Sequence, residues 1–342
     1  MTEAKLSDLI DQAISRREDL FNTLHNEKTD TYRIFHGVNE GRPGLTMDRY
    51  GSQVLVQSFY ETLKEDELLL IKETVNKGLR FEAIIQYNDR SSGKTPESRV
   101  TKKTPEQSAE NNSACFCDEI GIHYAVRSEY QGQDPLLFLD IRAGRRFVLH
   151  TCKGLSVLNL FAYTCGVGTC AAVGGANEIW NVDFSGSVLD VGKQNLKLNG
   201  FPEDSAQFIK EDFFPVIRQL AGIPVGGRGK AKKKEYQQFH AREFDLVFLD
   251  PPRWAKSPFG TVDLIRDYQS VFKPALLTVT QGGRVICTNH VPKITSLEWL
   301  DVLKRCAEKA GRPLKQVDII EPESDFPSPD GNHPLKIAVI EV

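Results

Sequence analysis

Val157 to Gly168 reads VLNLFAYTCGVG. Val157 to Phe161 is an apolar run of strand length, interrupted only by Asn159. Gly166 and Gly168 follow in a turn-forming cluster, and small residues continue through Ala172. A strand, a glycine turn and a helix start, in that order, form the nucleotide-binding unit of an α/β sheet. Glycines let the backbone approach a ligand, and the helix start offers free N–H groups. The dinucleotide fingerprint is not completed, because Cys170 and Ala171 stand where a third glycine is needed. Alone, the glycine pair is equally compatible with an ordinary tight turn.

The flanking sequence narrows the choice. Glu178 to Val182 is a second short strand that ends in Asp183, within EIWNVDFS. An acid at the tip of the second strand is where α/β proteins hold ribose hydroxyls. Asp183 and Ser185 also suit the start of a helix over Val188 to Asn199, and both roles can coexist. Phe244 to Leu249 is a third apolar strand that runs into DPPRW, Asp250 to Trp254. Two prolines cannot continue a central strand, so they fix a stiff loop at the carboxyl edge of the sheet.

Together, VLNLFAYTCGVG, Asp183, the Asp212 of KEDFF and DPPRW resemble motifs I to IV of class I S-adenosylmethionine-dependent methyltransferases. The chain is similar in particular to the bacterial large-subunit ribosomal RNA methyltransferases I and K/L. That group also resembles it in LFLDIRAGRR (Leu137 to Arg146) and in YRIFHGVNEGRPGLTMDRYG (Tyr32 to Gly51). The resemblance implies a Rossmann-like seven-stranded α/β domain preceded by a small α+β domain, with S-adenosyl-L-methionine as cofactor and RNA as partner. It implies that Asn159, Phe161, Ala162, Tyr163, Gly166 and Gly168 surround the methionine end of the cofactor. Asp183 takes the ribose hydroxyls, and Asp212 with Phe213 lies by the adenine. Asp140 and Arg142 stand beside the cofactor cleft. Arg145, His290 and Trp254 are the candidate substrate contacts, and Trp254 would stack on a flipped-out base. Asp250, Pro251, Pro252 and Asn289 are the candidate catalytic group. At LFLDIRAGRR a plainer reading stays open, with Asp140 capping a helix and the arginines on the surface. Trp254 as a packing residue under its loop is likewise left open.

At 342 residues the chain is long enough for two domains. We place them at 1–128, with a helix over 5–27, and at 129–342. The first reads as strands between Tyr32 and Tyr60, a helix over Leu63 to Leu79, a strand over Ala83 to Tyr87 and a hairpin over Cys115 to Val126. Residues 89–113 form a polar tract expected to be a flexible insertion. In the second domain a fifth strand spans Gly283 to Thr288, a helix follows over Leu297 to Ala310, and Val317 to Glu321 and Ile337 to Val342 close the sheet. The insertion at about 221–243 carries Arg228, Lys230, Lys232, Lys233 and Lys234, read as a solvated loop or a phosphate contact. The resemblance to methyltransferase I implies an RNA-binding PUA domain ahead of Tyr32, and the expectation is that the residues given there do not hold one.

Composition describes an ordinary globular chain, 40% hydrophobic and 26% charged, so no class of fibrous or membrane protein is indicated. Its apolar runs are too short to span a bilayer, and its acidic start is no signal peptide. A net charge of −3 means that any RNA contact must rest on local clusters of cations. Seven cysteines lack disulfide spacing, and Cys115 and Cys117 have no second pair to complete a metal site. The expectation is a cytoplasmic protein with reduced thiols and no metal; a homodimer is left open.

The target atom is harder to read. Methylating carbon-5 of cytosine needs a thiolate to attack carbon-6. Here the relevant stretch is CTNHV, with Cys287 read as inside the fifth strand and Thr288, Asn289 and His290 as following it. A strand cysteine is more often a small buried apolar residue. Asn289 at this point resembles the K/L half that methylates a guanine nitrogen, which needs no covalent catalyst. Nitrogen methylation of RNA is the main expectation. The alternatives are 5-methylcytosine formation, a protein or small-molecule acceptor, and a non-catalytic RNA-binding methyltransferase fold. The loop DFPSPDGNHPLK, Asp325 to Lys336, is expected to reach the same sheet edge and close over substrate.

Overall fold

A computed structural model describes residues 5–91, 115–127, 135–225 and 235–342. Most of the polar insertion and the five clustered cations Arg228, Lys230, Lys232, Lys233 and Lys234 lie outside the described residues, as does the boundary expected at 128/129. The chain divides into two compact units: Met1–Leu139 with Glu323–Pro329, and Asp140–Pro322 with Asp330–Val342.

In the smaller unit the helix expected over 5–27 is two, α1 (Leu6–Arg16) and α2 (Glu18–Asn26). The break falls at Arg17, whose buried guanidinium turns inward to Glu40 at 2.7 Å and to the Ala13 carbonyl at 3.1 Å. An unpaired buried cation costs several kcal/mol, so this pairing outweighs the continuous helix. Strands β1 (Thr31–Phe35), β2 (Leu45–Tyr50) and β3 (Gln53–Ser58) run antiparallel in turn. After α3 (Glu65–Leu79), β4 (Ile84–Asp89) adds parallel to β3. A hairpin of β5 (Cys115–Glu119) and β6 (Ile122–Val126) completes the unit. Ile10, Phe21, Tyr32, Ile34, Met47, Val54 and Ile71 fill its core. Arg33 grips both carboxylate oxygens of Asp48 at 2.7 and 2.9 Å, donates to His36 Nδ1, and lies 4.5 Å over the Phe326 ring.

The larger unit opens with α4 (Arg142–Thr151) and β7 (Ser156–Leu160). It continues through α5 (Gly166–Val173), β8 (Glu178–Asp183), α6 (Gly186–Leu198), β9 (Gln207–Lys210), α7 (Phe213–Leu220) and β10 (Phe244–Leu249). A short hairpin, β11 (Trp254–Lys256) with β12 (Thr261–Asp263), precedes α8 (Gln269–Leu276), β13 (Val279–Asn289), α9 (Ser296–Lys309), β14 (Gln316–Ile320) and β15 (Lys336–Glu341). The seven-stranded sheet has the order β14-β15-β13-β10-β7-β8-β9, and only β15 runs antiparallel to its neighbours. The expected Rossmann-like α/β class is therefore the observed one. Progression reverses between β7 and β10, which makes their carboxyl ends the place where such a sheet binds ligands. Leu158, Leu160, Val247, Leu249, Phe272, Val285 and Ile340 belong to the core that stiffens this edge.

Three expectations change here. The fifth strand is longer than Gly283–Thr288, because its pairing begins at Val279 and passes an irregularity before Arg284. Asn289 consequently ends the strand instead of following it. The chain after Asp250 folds back as a hairpin, where only a stiff loop was foreseen. And the first half of the Asp325–Lys336 loop is not a free lid. Asp325 is buried in the smaller unit, where it accepts the Arg33 N–H at 3.0 Å.

Candidate functional site

The glycine turn after β7 is built differently from its sequence reading. Positive φ falls on Phe161 (58°), Tyr163 (49°) and Cys165 (58°), and not on Gly166 or Gly168. Left-handed backbone costs an L-residue about 1–2 kcal/mol, so anchors must hold this turn. Ala162 N–H donates to the Val182 carbonyl at 2.9 Å, and Tyr163 N–H to Asp183 Oδ2 at 2.9 Å. Gly168 is buried in α5, and a Cβ there would stand 2.1 Å from Asn181 Oδ1. That same oxygen accepts from Asn159 Nδ2 at 2.9 Å across the β7–β8 pair. Asn159 and Gly168 therefore serve close packing of helix on sheet. This departs from the ligand contacts implied for them: the Asn159 side chain is spent inside the sheet.

Asp183 ends β8 half-buried. Oδ1 accepts the Ser185 N–H and Oδ2 the Tyr163 N–H, both at 2.9 Å, and burial raises its pKa against those hydrogen bonds. Both roles foreseen for it, helix start and free acceptor, are compatible with this geometry, since each oxygen keeps a lone pair. Asp212 caps α7 by accepting the Phe214 N–H. Phe213 stacks on Phe161 with centroids 4.5 Å apart. Phe161, Asp183, Asp212, Phe213 and Pro252 border one cavity of about 450 Å³, as does Phe184. Phe184 is 75% exposed, and sequence reasoning passed over it. The available signal was an aromatic directly after the acid that ends the second strand.

Asp250 stands at the tip of β10, half-buried, with the Thr288 hydroxyl donating to its Oδ1. Burial pushes its pKa up to about 6; the Thr288 hydrogen bond and Arg145 oppose the rise, and Asp140 adds to it. Thr288, not Asn289, is the partner that β13 offers. Side chains alternate along a strand, so Cys287 and Asn289 share the opposite face. Asn289 is fully buried there, with Oδ1 accepting the Val291 N–H at 2.9 Å. Among the described residues its Nδ2 has no hydrogen-bond partner, and Asn289 makes no hydrogen bond with Asp250 that would support the acceptor-positioning role expected of it. Cys287 lies in the core with Tyr268, and burial pushes its thiol up to about 12.

Arg142 and Arg145 are buried in the first turns of α4, which overturns the reading of surface arginines; Ile141, not Asp140, is the helix cap. His290 is half-buried, and its pKa is lowered by burial, with Asp140 opposing and Arg253 and Lys336 reinforcing the fall. Lys336 is itself buried and donates to the carbonyls of Val291, His333 and Pro334, which ties the turn after β13 to the start of β15. Ala162, Tyr163, Gly166, Asp140, Arg142 and Arg145 do not border the cavity. Trp254 is 62% exposed and lies outside it too, so the indole does not pack under its loop. Among the described residues no cluster of metal-ligating side chains occurs, and no helix is long and apolar enough to cross a membrane.

Comparison with known proteins adds a family. Residues 32–341 match a family model described as S-adenosylmethionine-dependent methyltransferase. The ribosomal RNA large subunit methyltransferase I of Aeromonas hydrophila is 26% identical over 302 residues, covering 86% of this chain and 70% of that protein. Among solved structures, SMU.776 complexed with SAH superposes with a TM-score of 0.76 at 21% identity, covering 100% of this chain and 83% of the other. A SAM-dependent methyltransferase from Agrobacterium tumefaciens superposes with a TM-score of 0.63 at 15% identity, covering 91% and 90%.

Proposed function

The chain belongs to the S-adenosylmethionine-dependent methyltransferase family, and from that premise we propose that it methylates a base nitrogen of large-subunit ribosomal RNA. The cofactor is S-adenosylmethionine, and the cavity suits it: about 450 Å³ falls within the range of small-molecule sites. In this reading Asp183 accepts the ribose hydroxyls, while Phe184 and Phe213 cover the adenine and Asp212 borders it. Bound S-adenosylmethionine supplies an electrophilic methyl group on a sulfonium.

The observation that carries the reading is the position of Asp250. It directly follows β10 and stands two residues before Pro252, which borders the cofactor cavity, so we read the acceptor site as lying beside that cavity. The Thr288 hydroxyl fixes the carboxylate, whose remaining oxygen accepts a hydrogen bond from an amino or imino group of the base. Aligned this way, the base nitrogen would present its lone pair in line with the methyl group that the bound cofactor would supply, with S-adenosylhomocysteine as the leaving group and water excluded. An exocyclic nitrogen then sheds a proton, and a carboxylate with a pKa of about 6 is suited to take it. RNA as acceptor follows the relative's printed name. Nitrogen over carbon-5 rests on the thiols: every cysteine of the larger unit, Cys152, Cys165, Cys170, Cys287 and Cys306, is buried.

Incubation with methyl-labelled S-adenosylmethionine and ribosomal RNA from a deletion strain tests the whole reading. Label in an N-methylated nucleoside is expected. Label recovered only in protein would refute the RNA acceptor, and 5-methylcytidine would refute the nitrogen.

A further inference from the structure

The hairpin of β11 and β12 leaves the sheet four residues after Asp250 and carries side chains that no step above uses. Trp254 pairs with Asp263, Ala255 with Val262 and Lys256 with Thr261. Alternation along the strand sets Ala255 opposite Trp254 and Lys256; Ala255 and Lys256 border the cofactor cavity, and Trp254 does not. Ala255 and Val262 pack toward the core, and the Arg253 guanidinium is close enough to His290 to depress its pKa. Arg253 and Trp254 are both exposed, three and four residues after Asp250. The indole is 62% exposed, although a free surface tryptophan forgoes the burial its large apolar ring favours.

The charges on the hairpin point the same way. Arg253 and Lys256 are exposed, and neither has a carboxylate within ion-pair distance among the described residues. The one acid opposite, Asp263, is engaged by its own turn, accepting the N–H groups of Ile265 and Arg266 at 3.1 Å. Two unpaired cations bracketing an exposed indole make a stacking platform with phosphate contacts, the arrangement that binds single-stranded nucleic acid.

Resting on the reading of an RNA acceptor, we propose that the β11–β12 hairpin grips the single strand beside the target nucleotide. Trp254 stacks on a flanking base, not on the base being methylated, while the exposed Arg253 and Lys256 each hold a phosphate on either side of it. The placement of Trp254 outside the cofactor cavity fits a flanking base, since the target base must lie against Asp250.

The test uses the full chain, a labelled single-stranded oligo(A) of about 12 nucleotides and the matching duplex, read by fluorescence anisotropy. Thermal melting temperature serves as the control for folding, because Lys256 borders the cofactor cavity. Trp254→Leu should weaken single-strand binding about 10-fold, while Trp254→Phe stays within about 3-fold, because stacking needs a ring and not merely an apolar surface. Arg253→Gln with Lys256→Gln should lower the slope of log affinity against log salt by about 1.4, at ~0.7 per phosphate contact. The duplex should bind more weakly than the single strand. Leucine performing as well as phenylalanine would point to a protein surface and overturn the assignment, as would an unchanged salt slope or equal binding of the duplex. The same preparations are assayed for methyl transfer to ribosomal RNA. Absence of transfer by the wild type removes the premise and the assignment with it. Normal transfer with unchanged oligonucleotide affinity in the variants overturns the assignment alone.

Discussion

Replacing Asp250 by asparagine separates its charge from its shape. The Asp250 carboxyl titrates near 6 in the folded protein against an ordinary 3.8. Between those values the native state binds more protons than the unfolded chain, so this group's contribution to stability falls as pH rises through that window. About two pH units at roughly 1.36 kcal/mol each sets the full effect at close to 3 kcal/mol, complete above pH 6. Asparagine keeps an acceptor for the Thr288 hydroxyl and cannot ionise. Asp250→Asn should therefore match the wild type in stability near pH 4 and exceed it by about 2–3 kcal/mol at pH 8. Activity should move the other way. With an ionised Asp250 required, wild-type kcat/KM should fall about tenfold per pH unit below 6. Asp250→Asn should lose roughly two to three orders of magnitude at every pH, the scale of a missing transition-state hydrogen bond to charge. Urea unfolding from pH 4 to 8, with methyl transfer measured over the same range, reads both effects. A variant that tracks the wild type in stability at pH 8, or a wild-type profile with no acid limb near 6, would refute the argument.

Gly168→Ala should destabilise the protein by about 1–3 kcal/mol in urea unfolding, despite a helix-propensity gain of up to ~1 kcal/mol, because the new Cβ overlaps Asn181 Oδ1. Its affinity for S-adenosylhomocysteine should stay within about 2-fold of wild type on the helix-packing account; a loss above about 10-fold at normal stability would return Gly168 to the ligand. Asp183→Ala should weaken cofactor binding by about 1.5–3 kcal/mol in titration calorimetry, since it removes a charged acceptor and one anchor of the Tyr163 turn; unchanged affinity would exclude Asp183 from the site. Cys287→Ala should cost about 1–2 kcal/mol of stability and keep most activity. Loss of turnover, or a covalent adduct with 5-fluorocytosine RNA, would make carbon-5 the target.

Several elements were readable from local sequence. The apolar runs Val157–Leu160 and Phe244–Leu249 are strands because their composition and length admit little else, and Pro251-Pro252 stops the second by removing ladder donors. The alternation of such runs with helical segments was enough for the α/β class. Asp183 was visible for the same reason: an acid after a buried apolar run sits at a strand tip.

What the sequence left open depends on partners distant along the chain. Whether Asn159 meets a ligand or Asn181 is decided by the β7–β8 register, which also dictates a glycine at 168. Whether Thr288 or Asn289 meets Asp250 turns on the register of β13 against β10. Pairing Leu249 with Cys287 sets Thr288 beside Asp250, and a shift of one residue would exchange the two. The helix break at Arg17 needs Glu40, 23 residues away, and the fixing of Asp325 needs Arg33, 292 residues away. Local propensity cannot register such pairings, because their energy exists only once folding has brought the two groups together and excluded water from between them.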